Sequence, residues 1–535
     1  MRPAAGSADP VWGRQTDRLD AVARNVASRY AVIGADGVIG LLLLPFNIHH
    51  LGQAAWGLWV LTSSLNTYFT VMDLGYGGSV TRFVAQYRAR RDAAAINEIV
   101  STLAVVFTAL ALVVCAAFVL AALNVSRLFN LTPGQVDTAR VLLLMSGTQV
   151  ALGFPFSVFG GVMNGFQRYD INNVVTVATS VIAAAVNVTM LLAGFSLVEM
   201  VAATTAVRIG SKLVYRLNAY YVFPGLSVRP SHVRLARLRE VSAFSVYVAV
   251  INWSNRLNFT TDAIVIGAFL SPAAVALWTV PRRMAQAVRV LTGQFSAVLL
   301  PVIVDADTRR QAGRLRVILV HGTRLPLLGA TPLAATLFMT ADTLIPAWVG
   351  PGFEESALVA RILAVVIVLR VGNATASVIL KGAGEHRMLA YNNAAVALAN
   401  LGLSIAWIGR YGLAGVAFGT LIPVAGGTIL NLWPRACRLA GIGAGEAFRS
   451  AVWPALWPLP FLIGTFIGVR AVLPDGVAAA IVAAAAGVIC YAVVALGFGL
   501  TAGERALYAA KAERYFWTRK SLEATSVPSS RISIR

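Results

Sequence analysis

From Tyr30 to Leu500 the chain is an almost unbroken succession of apolar stretches, separated by short polar breaks. A helical span needs about 20 mostly apolar residues to cross roughly 30 Å of hydrocarbon, and stretch after stretch here meets that length. Composition agrees, since 58% of the 535 residues are hydrophobic and only 13% are charged. A soluble fold cannot hide that much apolar surface, so the bilayer is the expected solvent. The first 29 residues carry Arg2, Arg14, Arg18, Arg24 and Arg29 but no short apolar core with a small-residue cleavage site. No removable signal peptide is therefore expected. Cys115, Cys437 and Cys490 are scattered through apolar segments without paired spacing. They predict packing residues, neither a disulfide framework nor a zinc site, and no metal or cofactor is expected.

Reading apolar runs between polar breaks predicts about fourteen helices. The first seven fall near 30–51, 56–74, 99–123, 141–163, 174–194, 197–220 and 244–269. The others fall near 273–298, 317–339, 357–380, 392–408, 413–432, 451–469 and 477–500. An even count places both termini on one side, and the basic loops 82–91, 229–239, 309–316 and 435–449 then share that side. The formal net charge of +21 would suggest nucleic acid in a soluble protein. Position argues against it. Most of the 44 Lys and Arg lie on the side of the basic loops, whereas few, including Arg127, Arg140, Arg361, Arg410 and Arg470, lie on the other. This is the positive-inside pattern, which assigns the basic side and both termini to the cytoplasm and favours contact with anionic membrane lipids. Connections on the opposite side are too short for a folded domain.

The longest inward break, 221–239, carries Pro224 and Pro230 and reads as a linker. LGQAAWGLWV at Leu51 aligns without gaps with LSPAAVALWT at Leu270, each at the turn between the first and second helix of a set. Asn172 and Asn173 have counterparts in Asn392 and Asn393. The expected fold is an all-α polytopic helix bundle built as two six-helix halves, 30–222 and 241–436, around a central cavity. A cytoplasmic segment 1–29 precedes them, the linker 223–240 joins them, and two additional helices, 451–500, follow. The remaining tail, 501–535, begins with basic and aromatic residues suited to the inner membrane surface.

Four strings carry a family resemblance: MDLGYGGSVTRFVAQYRARRD (72–92), GVMNGFQRYDINN (161–173), FTTDAIVIGAFLSPAAVALWTVPRRMAQAV (259–288) and ILKGAGEHRMLAYNN (379–393). In that order they resemble bacterial polysaccharide flippases, of the O-antigen or repeat-unit type, in the multidrug/oligosaccharidyl-lipid/polysaccharide exporter superfamily. The resemblance covers about 27–435. It implies a membrane carrier, not an enzyme, that moves a lipid-linked oligosaccharide across the bilayer by alternating access.

Charges left inside spans are the strongest functional signal, because each costs at least about 2.5 to 3.5 kcal/mol unless it reaches water or a partner. Arg282 and Arg283 fall near the middle of the eighth expected helix, followed by Gln286 and Arg289. Arg282, Gln286 and Arg289 can line one stripe. Arg256 sits halfway along the seventh, near Asn252 and Asn255, with Asp262 toward its outer end, and Arg370 interrupts the tenth. Guanidinium groups bind phosphate oxygens bidentately, so the set suits the pyrophosphate of a polyprenyl-linked glycan. Snorkelling or pairing with Asp262 or Asp36 is the bland alternative for any single Arg. Asp36, in the first helix, is a candidate coupling residue with Asp262, or one member of a structural ion pair. His49 and His50 are adjacent and so point apart, which argues against a shared metal site. Trp56, Trp59 and Trp278 fit an interfacial belt better than sugar-stacking platforms. Asp305 and Asp307 read as a solvated loop. No phosphate loop and no nucleophile triad is present to suggest an ATPase or a hydrolase.

The expected function is a polyprenyl-pyrophosphate oligosaccharide flippase of the bacterial cytoplasmic membrane, a monomer in cell-surface polysaccharide biosynthesis. Its rivals are a lipid-linked peptidoglycan precursor flippase, a drug or cation antiporter of the same superfamily, and an integral membrane enzyme. The short outward loops argue against the enzyme, and the surplus of intramembrane Arg over Asp argues against the antiporter.

Overall fold

A computed structural model of the chain describes residues 18–69, 76–241, 261–297, 299–309 and 311–498. Asn252, Asn255, Arg256 and the tail 501–535 lie outside the described residues, as does the side chain of Arg289. Among the described residues the regular elements are all helical. They run α1 (Arg18–Phe69), α2 (Tyr76–Ala89), α3 (Ala93–Leu123), α4 (Pro133–Gly165), α5 (Tyr169–Leu192) and α6 (Leu197–Val222). Then follow α7 (Pro272–Ala297), α8 (Leu300–Thr308), α9 (Ala312–Val349), α10 (Glu355–Gly382), α11 (His386–Gly426), α12 (Leu459–Val472) and α13 (Val477–Phe498), with short helical turns between some of them.

Nine of the described helices are long and apolar enough to cross a membrane. Two contain a pair of expected spans each, because α1 bends at Gly52 (φ +78°) and α11 at Gly412 (φ +54°). Positive φ is cheap only for glycine, which lets the chain reverse without a separate loop. α6 and α7 escape the nine because charged residues interrupt their apolar runs. The expected helices are thus accounted for among the described residues, which include 261–269 of the seventh.

Two local expectations are corrected. The loop 82–91 is mostly helix, and the chain turns only at Arg90–Asp92, where Asp92 accepts a hydrogen bond from the Ala95 N–H at 2.9 Å and caps α3. Asp305 and Asp307 lie on α8, not in an open loop, and Asp305 accepts from Arg309 and Arg314, both at 2.8 Å. The expected linker after α6 is hydrogen-bonded to α3. Asn97 donates to the Gly225 carbonyl and accepts from the Ser227 N–H, and the Arg234 N–H donates to Thr102 Oγ1 at 3.0 Å. Arg237 closes the strap with a 3.0 Å bond to Glu98, while the Tyr87 hydroxyl donates to Glu240 at 2.8 Å. Burial, then the bond to Glu240, pushes that hydroxyl above its ordinary pKa.

The chain divides into two compact units. The first holds the described residues of 1–287, 341–369 and 384–432. Within it α4 packs closely on its neighbours: a Cβ at Gly147 would crowd Phe118 of α3, and one at Gly161 or Gly165 would crowd Val80 or Val84 of α2. Small residues at helix crossings replace the hydrophobic drive that lipid cannot supply. At the basic-loop end, Asp170 pairs with Arg24 at 2.8 Å and Arg168 at 3.1 Å, tying the start of α1 to the turn before α5.

At the opposite end the two similar segments meet. Gly57 lies so close to the Pro272 carbonyl that a Cβ there would overlap its oxygen. Asn130 donates through its backbone N–H to Gly267 O at 3.1 Å and through its side chain to Leu270 O at 2.7 Å. Gln53 donates to Gly352 O at 3.0 Å.

The second unit holds the described residues of 288–340, 370–383 and 433–535. Its core gathers Leu462, Tyr491 and Ala495 with Leu328, Ala335 and Met339. The buried Tyr491 hydroxyl donates to Ala455 O at 2.8 Å, meeting the rule that a buried polar group finds a partner.

Candidate functional site

A cavity of about 690 Å³ lies within the first unit, walled by α1, α4, α5, α6 and α7. That size falls inside the roughly 300 to 1,000 Å³ of small-ligand sites. Among the described residues its charged lining is Asp36 of α1, Arg208 of α6, and Arg282 and Arg283 of α7. Three cations against one carboxylate leave an excess of positive charge in a region where ions are costly.

Local sequence explains how the arginines are presented. Pro281 stands inside α7 immediately before them and has no N–H to offer the Leu277 carbonyl one turn earlier. Ser356 Oγ donates to that carbonyl at 2.7 Å instead. The Arg283 guanidinium lies against Gly40 of α1, where any Cβ would collide with it. Asp36 is one turn from Gly40; its Oδ1 accepts from Ser180 Oγ of α5 at 3.0 Å. No ion-pair partner stands within 4.0 Å of Asp36 among the described residues, although its carboxylate acts electrostatically on both Arg208 and Arg283. Asp36 thus offsets part of two guanidinium charges without neutralising either.

Amides and indoles complete the wall. Asn47, Asn66, Asn187 and Trp56 each keep a buried side-chain polar atom without a protein partner among the described residues. Such a group costs about 1–3 kcal/mol unless water or ligand meets it. Trp56 and Trp59 cross edge to face with centroids 5.0 Å apart, both on the cavity wall. The belt expectation is therefore corrected: Trp56 is 8% and Trp278 1% exposed, so neither presents its ring to the lipid interface.

Of the residues singled out in the sequence, Asp36, Arg282, Arg283 and Gln286 converge here. Asp262 is buried in the same unit but is not on this wall, and Arg370 lies in the second unit. Arg256 and Asn255 fall outside the described residues, and of Arg289 only the helical backbone is described. Arg208 was missed. Its signal is the recurrence of Arg208, Lys212 and Arg216 every four residues along α6, one face of a helix inside an expected span.

A family profile described as "Polysaccharide biosynthesis protein" matches residues 22–306, more than half of the chain. The chain belongs to that family. Its long apolar helices among the described residues are those of a multi-pass membrane protein. The probable flippase AglR of Haloferax volcanii is 22% identical over 445 residues, covering 80% of this chain and 87% of AglR. EpsK of Bacillus subtilis, an uncharacterized membrane protein, is 22% identical over 325 residues, 60% of this chain and 63% of EpsK. Among solved structures, the lipid II flippase MurJ in an inward closed conformation superposes with a TM-score of 0.69 at 13% identity, covering 88% of this chain and 98% of MurJ. An inward-facing multidrug resistance transporter of the MATE family gives 0.57 at 16% identity, covering 76% and 99%. At these identities the structures share the fold with this polysaccharide-family membrane protein.

Proposed function

We propose that this protein is a flippase that moves a polyprenyl-pyrophosphate-linked oligosaccharide across the bacterial cytoplasmic membrane for cell-surface polysaccharide synthesis. The observation that carries the proposal is the convergence of Arg208, Arg282 and Arg283 on one cavity beside the carboxylate of Asp36, the one carboxylate among its described lining. Planar guanidinium groups match phosphate oxygens two at a time, and a pyrophosphate offers oxygens enough for several. The amides of Asn47, Asn66 and Gln286 and the indoles of Trp56 and Trp59 suit sugar hydroxyls and sugar faces. A drug or cation antiporter would be served by a net acidic cavity, opposite in sign to this one.

In this mechanism the two six-helix halves rock about the cavity while the prenyl tail stays in lipid. The basic loops and both termini face the cytoplasm, and the protein acts as a monomer. The contacts of Gly57 with Pro272, Asn130 with Leu270, and Gln53 with Gly352 form the outer gate. Asp36 is the candidate for a coupling cation, since each change of its charge alters the field at Arg208 and Arg283. The family assignment supports the glycan, and the cavity's charge supports the pyrophosphate.

The test is complementation of a strain lacking this chain, with the protein level in the membrane measured alongside. R282Q/R283Q is expected to abolish surface polysaccharide and to trap the lipid-linked repeat unit in the inner leaflet. Unchanged export by a variant present at normal level would reject the assignment.

A further inference from the structure

A second cavity, of about 350 Å³, adjoins the first within the same unit, between α4, α5 and α6. The two share Gln149, Ser180 and Arg208 on their walls, so Arg208 stands at the junction. One turn along α6, Lys212 belongs to the side cavity alone. The volume is near the low end for small-ligand sites and has room for about one sugar residue.

The charge in this pocket is one-sided. No carboxylate is on its wall, and neither Lys212 nor Arg208 has an ion-pair partner within 4.0 Å among the described residues. The charged group that acts on Lys212 is Arg208, a like charge one helical turn away. Like charges at that spacing repel, and inside a membrane protein they persist where an anion or water answers them. Around the pair the lining is hydroxylic: Ser157, Thr179 and Ser211 face the pocket, and Thr176 shares a 2.8 Å hydrogen bond with the Tyr215 hydroxyl. The Tyr215 ring also carries Lys212 Nζ 5.7 Å from its centroid, which fixes where the ammonium stands. Two cations, several hydroxyls and an aromatic ring in a space of this size fit a charged sugar.

We propose that this side pocket is a second anion subsite, in which Lys212 and Arg208 hold the acidic group of a charged sugar in the transported glycan. The inference rests on the flippase proposal above and adds a substrate class to it. The pyrophosphate occupies the Arg282 and Arg283 side of the main cavity, and an acidic sugar, bearing a carboxylate or phosphate substituent, reaches past Arg208 into the pocket. The same cations would also accept a phosphate of the lipid itself, and the test separates the two sources.

The test uses the full chain in nanodiscs and two synthetic polyprenyl-pyrophosphate glycans that differ only in a hexose or a hexuronic acid. Binding is read from tryptophan fluorescence. The wild type is expected to bind the uronic form about tenfold tighter, the gain of one well-placed charged hydrogen bond. K212M is expected to erase that preference while leaving the neutral glycan's affinity as it was, and K212R to retain it. Methionine and arginine both suit a helix interior, and normal binding of the neutral glycan certifies that each variant is folded. Equal affinity of the wild type for both glycans overturns the subsite and leaves the flippase proposal standing. Equal weakening of both by K212M overturns it too, by assigning Lys212 to the lipid phosphate. Failure of the wild type to bind either glycan overturns both proposals.

Discussion

Gly57 packs on the carbonyl of Pro272 with no room for a side chain between them. The contact joins two segments of similar sequence, and it depends on the absence of a single methyl group. Gly57→Leu should wedge the gate apart and favour the outward-open state. With a cysteine at Ser63 on the cavity wall, the variant should react faster with an impermeant maleimide added outside and export less polysaccharide. Unchanged labelling would show that this contact is not a gate.

Gly40 has the same relation to Arg283 that Gly57 has to Pro272. Gly40→Val should push the guanidinium off its seat without removing its charge. Losing one charged hydrogen bond to phosphate is expected to cost roughly tenfold in affinity for a polyprenyl pyrophosphate, with the protein still folded. Affinity equal to wild type would place Arg283 outside the binding step.

The strap after α6 depends on Arg237, which bonds Glu98 and lies over the Tyr87 ring with its guanidinium carbon 5.0 Å from the centroid. Arg237→Ala removes the cation that Glu98 and Glu240 share and should loosen residues 225–240. Amide exchange over that segment should quicken severalfold, while α4 and α5 keep their protection. Exchange that stays slow would assign the anchorage to Asn97 and Thr102 alone.

Asp305 is held below the usual carboxylate range, first by its hydrogen bond from Arg309 and then by Arg314. A depressed folded pKa contributes stability above the unfolded value of about 3.9, and that contribution fades as pH falls through the folded pKa. Protection of the α8 amides should therefore hold from neutral pH down to about 4 and decline below it. Asp305→Asn should lower protection at neutral pH and flatten this dependence. A profile unaltered by the substitution would contradict the assignment.

Much of this fold was legible because the bilayer enforces a simple rule: backbone groups must be satisfied within each span, and side chains must be apolar. The reversals at Gly52 and Gly412 kept their expected places even though helix continues through them. Arg282, Arg283 and Asp36 were legible for the complementary reason, since ions break that rule only where a cavity or partner receives them. Arg208 and Lys212 were harder to see. Lys212 approaches the basic end of the span, where long cationic side chains ordinarily snorkel, Arg208 stands mid-span, and only the four-residue spacing marks the two as sharing a face. Trp56 and Trp278 misled because an indole near a helix end suits an interface and a buried position equally, and packing chooses between them. The helix at Asp305 depends on Arg309 and Arg314 folding back onto one carboxylate, an arrangement that loop composition does not announce.

The central claim is that the arginines of this cavity carry a lipid pyrophosphate across the bilayer. It is tested most directly in liposomes containing the purified full chain and a fluorescent polyprenyl-pyrophosphate glycan. Headgroups that reach the outer leaflet are quenched by an impermeant reductant, which gives a transfer rate. The wild type should move the glycan, R282Q/R283Q should fall to the protein-free rate, and the same glycan on a neutral lipid carrier should not be moved. Transfer by the double variant at the wild-type rate would contradict the account.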